Sequence, residues 1–216
     1  MYGSTFTELK GRVAVVLGGP DGVSAAVCRM LAERGARVAV VAPDSGELAD
    51  LIDELRWGGS DAIGIVADGT DAESMEGVRT SVVIELGTPD LLFVLPCPMR
   101  PGGGWQRTVD SGLTATFQAL QAFVPGMAEA GGGAVVTLAP YGTDPATTAV
   151  GGGVTALTQH YARLVADAGV RANVVSWTPR ESTVDDAAFA AVYLASDAAA
   201  SMTATTLDVA GTLMRL

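Results

Sequence analysis

The sequence is almost without several residue types that enzymes commonly use. Lys10 is its only lysine, His160 its only histidine and Asn173 its only asparagine. Any mechanism that requires a lysine or an asparagine at another position is therefore excluded. A zinc site or a histidine-dependent triad is not expected either, because each would have only one imidazole to draw on.

Cysteine is also scarce, since the 216 residues contain only Cys28 and Cys97. Neither belongs to a spacing typical of metal ligands, and Cys28 lies in a helical pattern where a small core side chain is expected. No apolar stretch near residue 1 has the length of a signal peptide, and none elsewhere approaches a membrane span. These absences indicate a reduced, cytoplasmic protein that binds no metal and contacts no membrane.

Basic residues are outnumbered, with 13 Lys and Arg against 24 Asp and Glu and a formal net charge of −11. A strongly acidic surface repels phosphate backbones, so nucleic acid is not an expected partner. Charged residues make up only 17% of the chain, whereas hydrophobic residues make up 49%. This composition favours one globular domain over residues 1–216, with apolar surface partly covered by oligomer formation.

One stretch combines a buried strand, a glycine turn and a helix. Val13 to Leu17 is an apolar run, Gly18 and Gly22 follow it, and a helical pattern begins at Gly22. Glycines allow a tight turn and a close approach to a pyrophosphate, which the helix N-terminus also attracts. This order is typical of the first unit of a dinucleotide-binding fold, although Ser24 stands where a third glycine is expected. The glycines alone are equally compatible with a purely structural turn.

Apolar runs and helical patterns alternate along the rest of the chain. Continuous apolar runs predict a parallel sheet that helices cover on both faces. We therefore predict a doubly wound Rossmann-type α/β domain of about seven strands, at 13–17, 38–41, 62–67, 91–95, 134–138, 171–176 and 205–209. Asp71 is predicted to cap a helix. A long helix is predicted over 109–129, and another over 152–167 that begins within the glycine run at 151–153.

Several segments together resemble the short-chain dehydrogenase/reductase family over nearly the full length. They are LKGRVAVVLGGPDGVS in the first unit, ADGTDAESM after the third strand, GGGAVVTL at the fifth strand and YLASDAAASMTATTLDVAGT near the end. The resemblance implies a Rossmann fold and hydride transfer between a nicotinamide nucleotide and a carbonyl or an alcohol. Members of the family use a tyrosine as general acid and base, a lysine one helical turn later, a serine and an asparagine.

Those catalytic residues do not carry over onto this sequence. The positions that align with the Asn, Ser, Tyr and Lys of the family are Gly112, Pro140, Thr147 and Gly151. Tyr141 and Asp144 are the remaining polar candidates beside the aligned site. Cys97, Trp105 and Trp177 are predicted to lie at the same cleft, where the two indoles either floor an apolar cavity or fill the space of a nicotinamide.

Few of the family's nucleotide-binding residues remain in this sequence. Gly18, Gly22 and Asp68 remain, the last at the position that contacts adenine in relatives. Ala42 and Pro43 stand where relatives carry the charged residue that selects between NAD and NADP. We therefore expect a vestigial NAD(P) site and no bound cofactor.

Three functional hypotheses follow. The leading one is a non-catalytic subunit that pairs with an intact relative, in a homo- or hetero-oligomer, through the helices at 109–129 and 152–167. It is favoured by an apolar helix face that comprises Leu113, Phe117, Leu120, Phe123 and Val124. The alternative is a redox-independent cyclase, dehydratase or isomerase in the vacated cleft. The third is an NAD(P)-dependent oxidoreductase with an atypical catalytic set. Bacterial specialised metabolism, such as natural product biosynthesis, is the expected setting.

Overall fold

A computed structural model describes residues 9–20, 22–44, 46–95, 104–141, 144–178 and 182–209. Its strands are β1 (Val13–Leu17), β2 (Arg37–Ala42), β3 (Ala62–Val66), β4 (Leu91–Val94), β5 (Gly133–Pro140), β6 (Val170–Trp177) and β7 (Thr206–Val209). They form one sheet in the order β3-β2-β1-β4-β5-β6-β7, and every pairing is parallel. The predicted doubly wound α/β fold is confirmed.

Helices connect the strands and cover the sheet. They are α1 (Gly22–Glu33), α2 (Gly46–Trp57), α3 (Ala72–Glu85), α4 (Trp105–Val109), α5 (Ala115–Glu129), α6 (Pro145–Leu164) and α7 (Val184–Ala195). A π-helical turn, Asp110–Thr114, joins α4 to α5. None of the helices within the described ranges is long and apolar enough to cross a membrane.

The core consists of two apolar layers, one on each face of the sheet. Helices α1, α2 and α7 bury their apolar side chains on one face, and α3, α5 and α6 bury theirs on the other. All five residues of β1 are buried, which explains why its sequence is a continuous apolar run. Asp71 accepts a hydrogen bond from the Ser74 N–H at 2.7 Å, so the predicted cap of α3 is confirmed.

Helix α6 begins seven residues before the predicted start at 152 and ends at Leu164 rather than near 167. Its start is determined by Asp144, whose side chain accepts a hydrogen bond from the Thr147 N–H, and by Pro145 in the first turn. The glycine run at 151–153 therefore lies inside the helix, where its small residues allow close packing. The long helix likewise begins earlier than 109, at Trp105.

Candidate functional site

The carboxyl ends of the strands bring together residues that are far apart in the sequence. Gly18 follows β1, Asp68 follows β3 and Tyr141 follows β5, while Trp177 is the last residue of β6. Since all the strands are parallel, these residues lie along one edge of the sheet. The strand order reverses direction between β1 and β4, and open α/β sheets bind ligands at such a reversal.

Gly18 is a position where no larger residue fits. A Cβ atom there would overlap both the Ser24 hydroxyl and the backbone oxygen of Leu95. The Ser24 hydroxyl donates a hydrogen bond to that same oxygen at 3.4 Å, and the Gly18 N–H donates to the Val41 oxygen at 3.1 Å. Gly18 therefore packs the turn against β2 and β4. Ser24, in place of the expected glycine, ties α1 to the end of β4.

Gly22 differs from Gly18 because the space beside it is open. It begins α1 with a φ of +51°, and a Cβ atom there would meet no atom within 4 Å. The first turn of α1 carries no acidic side chain. Free space at the N-terminus of α1, whose described first turn carries no carboxylate, fits a diphosphate group, because the helix dipole and the backbone N–H groups favour an anion. Asp21, which precedes Gly22, lies outside the described residues.

Asp68 is exposed at the end of β3 and is held in place by its own turn. Its Oδ1 accepts hydrogen bonds from the Thr70 hydroxyl at 2.7 Å and from the Thr70 N–H at 2.9 Å. These hydrogen bonds lower the pKa of the Asp68 carboxyl below its ordinary value. An oriented, ionised carboxylate suits an amino group such as that of adenine, so Asp68 fits the adenosine end of a nucleotide.

Two of the four positions aligned with the family's catalytic residues lie where packing leaves no room for a side chain. A Cβ atom at Gly151 would overlap the backbone oxygen of Pro140, and one at Gly112 would overlap the Val150 side chain. Helix α6 therefore lies closer to β5 and to the π-helical turn than side chains at 112 and 151 would permit. The alignment of Gly112, Pro140, Thr147 and Gly151 with the catalytic residues stays a prediction.

The π-helical turn surrounds Gly112 and was not found from the sequence. The Thr116 hydroxyl donates a hydrogen bond to the Gly112 oxygen at 2.6 Å in the protein interior. Such turns often occur at functional sites because they change which backbone groups are free. The sequence pattern predicts one uninterrupted helix over 109–129 and gives no signal for this turn.

Tyr141 and Asp144, the two polar candidates, have different surroundings. Tyr141 is 54% exposed, and its N–H donates to the Trp177 oxygen at 3.1 Å, which fixes its backbone at the edge of the sheet. The Asp144 Oδ1 accepts from the Thr147 N–H at 2.9 Å. Hydrogen bonds from the Thr147 hydroxyl and N–H lower the pKa of the Asp144 carboxyl. Asp144 therefore caps α6, and a catalytic role for Tyr141 or Asp144 stays a prediction.

The three residues predicted at the cleft are placed differently. Trp105 is the first residue of α4 and is 58% exposed. Trp177 packs against the apolar layer that contains α1 and α7. Cys97 lies outside the described residues. A cleft role for Trp105, Trp177 and Cys97 stays a prediction.

The apolar face of the long helix is largely a core face. Leu120, Phe123 and Val124 are each no more than 1% exposed and pack under the sheet. Because these three residues are buried, they cannot contact a partner. Their apolar pattern therefore gives no support to a partner subunit. The exposed remainder is an apolar groove lined by Leu113, Thr114, Phe117, Gly153 and Leu157. Oligomer formation through these helices stays a prediction.

Comparison with known proteins decides the family. The sequence pattern of the family described as short chain dehydrogenase matches residues 12–191. The chain belongs to this family. The family resemblance seen in the sequence is therefore confirmed.

Named relatives of this short-chain dehydrogenase cover most of its length. The D-threitol dehydrogenase of Mycolicibacterium smegmatis is 30% identical, over 94% of this chain and 93% of that protein. The cis-4-hydroxycyclohexanecarboxylate dehydrogenase of Sinomonas cyclohexanicum is 32% identical, over 81% of this chain and 74% of that protein. A solved structure assigned to the short-chain dehydrogenase/reductases, from Burkholderia xenovorans, superposes with a TM-score of 0.85 at 26% identity, over 94% of this chain and 97% of that one.

These findings correct two expectations from the sequence. The hypothesis of a non-catalytic partner subunit is wrong, because the relatives are named as active dehydrogenases. The same names give no support to the redox-independent alternative, to pairing with an intact relative or to a role in natural product biosynthesis. The expectation of no cofactor is also wrong, since members of this family normally use NAD(P). The residues around Gly18, Gly22 and Asp68 fit the adenosine diphosphate part of that cofactor.

Within the described ranges, no group of His, Cys, Asp and Glu residues is arranged to hold a metal ion.

Proposed function

We propose that this short-chain dehydrogenase is an NAD(P)-dependent oxidoreductase that acts on an alcohol or a carbonyl compound. The observation that carries the proposal is the open glycine turn. Gly22 begins α1 at positive φ with free space beside it, at the point where the strand order reverses. The nicotinamide ring of the nucleotide would supply or accept the hydride. The relatives described above are named as dehydrogenases of hydroxyl compounds, which supports an alcohol as the substrate.

Different residues along the carboxyl edge of the sheet would bind different parts of the nucleotide. The N-terminus of α1 at Gly22 would hold the diphosphate, and the oriented carboxylate of Asp68 would accept a hydrogen bond from the adenine amino group. Asp44 is exposed just after β2. Its negative charge would oppose a 2′-phosphate on the adenosine ribose, so we expect NADH to bind more tightly than NADPH.

Tyr141 is the residue that would transfer the proton. It is the one tyrosine among the described residues that follows a strand at the carboxyl edge of the sheet. Half of its surface is exposed, so a substrate can reach its hydroxyl. A positioned general acid contributes about 10² to 10⁴ in rate, and a phenol serves this purpose when a carbonyl oxygen lies within hydrogen-bonding distance.

Calorimetric titration with NADH, NADPH and ADP-ribose tests nucleotide binding, with two glycine variants as a matched pair. Gly22 and Gly59 both have positive φ and open space beside them, but Gly59 follows α2 near the amino end of β3. Gly22→Ala should weaken NADH and ADP-ribose binding about tenfold, because the methyl group projects into the diphosphate space. Gly59→Ala should cause comparable backbone strain and leave both affinities unchanged.

The proposal fails if the wild-type protein binds neither NADH nor NADPH, or if the two glycine variants weaken binding equally. The proton-transfer role is tested by Tyr141→Phe, which should lower kcat about a hundredfold with a cyclic secondary alcohol while NADH affinity stays the same. Tyr193→Phe is the control, because Tyr193 lies near the end of α7 at the opposite edge of the sheet. Equal kcat values for both variants would exclude Tyr141.

A further inference from the structure

Trp177 carries a buried polar atom that the fold leaves without a hydrogen bond. Its indole Nε1 is shielded from solvent and has no partner in the described part of the chain. An indole nitrogen can only donate, and native proteins rarely leave a buried donor unpaired. The other two tryptophans raise no such question, since Trp57 is 92% exposed and Trp105 is 58% exposed.

Only two other side-chain atoms of the described residues share this property, and neither faces the candidate site. The Arg12 Nε lies 3.3 Å from the Asp90 carboxylate, just before β1 at the amino edge of the sheet. Thr206 lies in β7, where its neighbours Leu207 and Val209 pack on the same face as Trp177. Because side chains alternate along a strand, Thr206 points to the opposite face.

The position of Trp177 places its ring beside the proposed site. It pairs with Pro140 of β5 on one side and with Val209 of β7 on the other, and its oxygen accepts the Tyr141 N–H. The ring packs against the layer that contains α1 and α7. It therefore lies at the carboxyl edge, next to Tyr141, and on the face of the sheet from which α1 presents its N-terminus.

The order of the strands indicates which part of a nucleotide would reach this indole. Asp68 lies beyond β1 in the direction of β3, and Trp177 lies in the other direction, three strands from β1. Three strand spacings amount to about 14 Å. With the diphosphate at Gly22 and adenine toward Asp68, the nicotinamide end extends toward β5 and β6.

We propose that the indole N–H of Trp177 donates a hydrogen bond to the carboxamide oxygen of the bound nicotinamide. This inference rests on the proposed function. The carboxamide oxygen is the acceptor on that ring, and a donor fixed in the core would hold the ring in one orientation. Trp177 is thus a positioning residue that selects which face of the nicotinamide is turned toward Tyr141 and the substrate.

Two probes separate this contact from nucleotide binding in general. NADH carries the carboxamide, whereas ADP-ribose has the same adenosine diphosphate part without the nicotinamide. By calorimetry, Trp177→Phe should weaken NADH binding about five- to tenfold and leave ADP-ribose binding within about twofold of wild type. Trp57→Phe, at the exposed indole that ends α2, should change neither affinity. The free Trp177→Phe protein should unfold at a urea concentration near that of wild type, because the substitution removes an unpaired donor.

A second measurement uses the wild-type protein and does not depend on the folding of the variant. The indole N–H resonance of Trp177 can be assigned by elimination with Trp57→Phe and Trp105→Phe, both at exposed positions. Formation of the hydrogen bond should shift this resonance on addition of NADH and not on addition of ADP-ribose.

An unchanged resonance with NADH, or equal losses of NADH and ADP-ribose affinity in Trp177→Phe, would overturn the role of Trp177 while nucleotide binding stands. If the wild-type protein binds neither ligand, the proposed function itself fails and this inference with it.

Discussion

The two halves of the carboxyl edge use glycine for opposite purposes. Around Gly22 the backbone turns at positive φ and leaves free space beside it. At Gly112 and Gly151 the space that a side chain would need is already occupied, by Val150 and by the Pro140 oxygen respectively. The same residue type thus keeps a site open on one side of the sheet and brings a helix against a strand on the other.

This difference shows why a count of glycines in the sequence says little about function. A glycine can leave space for a ligand or allow two segments to pack closely. Which of these it does depends on what a Cβ atom would contact there, and this follows from tertiary structure. Gly18 illustrates the point, because it belongs to the nucleotide motif and yet its space is filled by Ser24 and Leu95.

The largest effect is expected from Gly151, and its neighbour Gly152 provides the control. A methyl group at Gly151 would overlap the Pro140 oxygen, which is part of β5 and cannot move aside, whereas a Cβ atom at Gly152 would meet nothing within 4 Å. Gly151→Ala should lower the free energy of unfolding by about 3 kcal/mol. Gly152→Ala should raise it by about 0.5–1 kcal/mol, because alanine favours the helix.

Urea unfolding followed by circular dichroism measures both variants. Equal changes at Gly151 and Gly152 would mean that α6 does not lie against the Pro140 oxygen. Gly151 would then not differ from Gly22, beside which there is free space, and the contrast between the two parts of the carboxyl edge would not hold.

A somewhat smaller effect should appear in the pH dependence of stability, and it concerns the packing of α1 beneath the open turn. Complete burial raises the pKa of the Cys28 thiol from 9.0 to about 12. Because the folded pKa lies above the unfolded one, this contribution is complete below pH 9 and is lost as the pH rises from 9 to 12. The slope for one proton is about 1.4 kcal/mol per pH unit.

Cys28→Ala removes this titration, so its free energy of unfolding should fall less steeply between pH 9 and 11 than that of the wild type. The expected difference over that range is about 2 kcal/mol, in addition to a pH-independent loss of packing. Buried Tyr161, whose pKa is also raised by burial, is present in both proteins and cancels in the comparison. Parallel curves would show that the Cys28 thiol is not fully buried in the packing of α1.

Much of the fold could be predicted from the sequence because the strands have an unmistakable pattern. All five residues of β1 are buried on both faces of the sheet, so the segment is apolar throughout and periodicity hardly matters. Asp71 was found as a cap because one short side chain meets one N–H three residues later, a purely local contact.

The candidate site was less predictable because its properties arise between segments. The glycine run predicts the start of a helix, whereas it lies inside α6, and its packing role becomes visible only through the contact of Gly151 with the Pro140 oxygen. Leu120 and Phe123 form an apolar stripe whose burial under the sheet cannot be distinguished in the sequence from a partner surface. The unpaired indole of Trp177 depends on three strands and two helices, and no sequence signal could have found it.

The smallest effects are expected at the two aspartates that cap a helix in each half of the molecule. Asp71 caps α3 and Asp144 caps α6, each through one backbone N–H. Asp71→Ala should cost about 1 kcal/mol, and Asp144→Ala should lower the urea midpoint in the same direction. Asparagine retains the side-chain oxygen, so Asp144→Asn should keep both the midpoint and the turnover. A loss of turnover in Asp144→Asn at unchanged stability would instead make the charge of Asp144 part of the reaction, and the closed half of the edge would have a chemical role beside Tyr141.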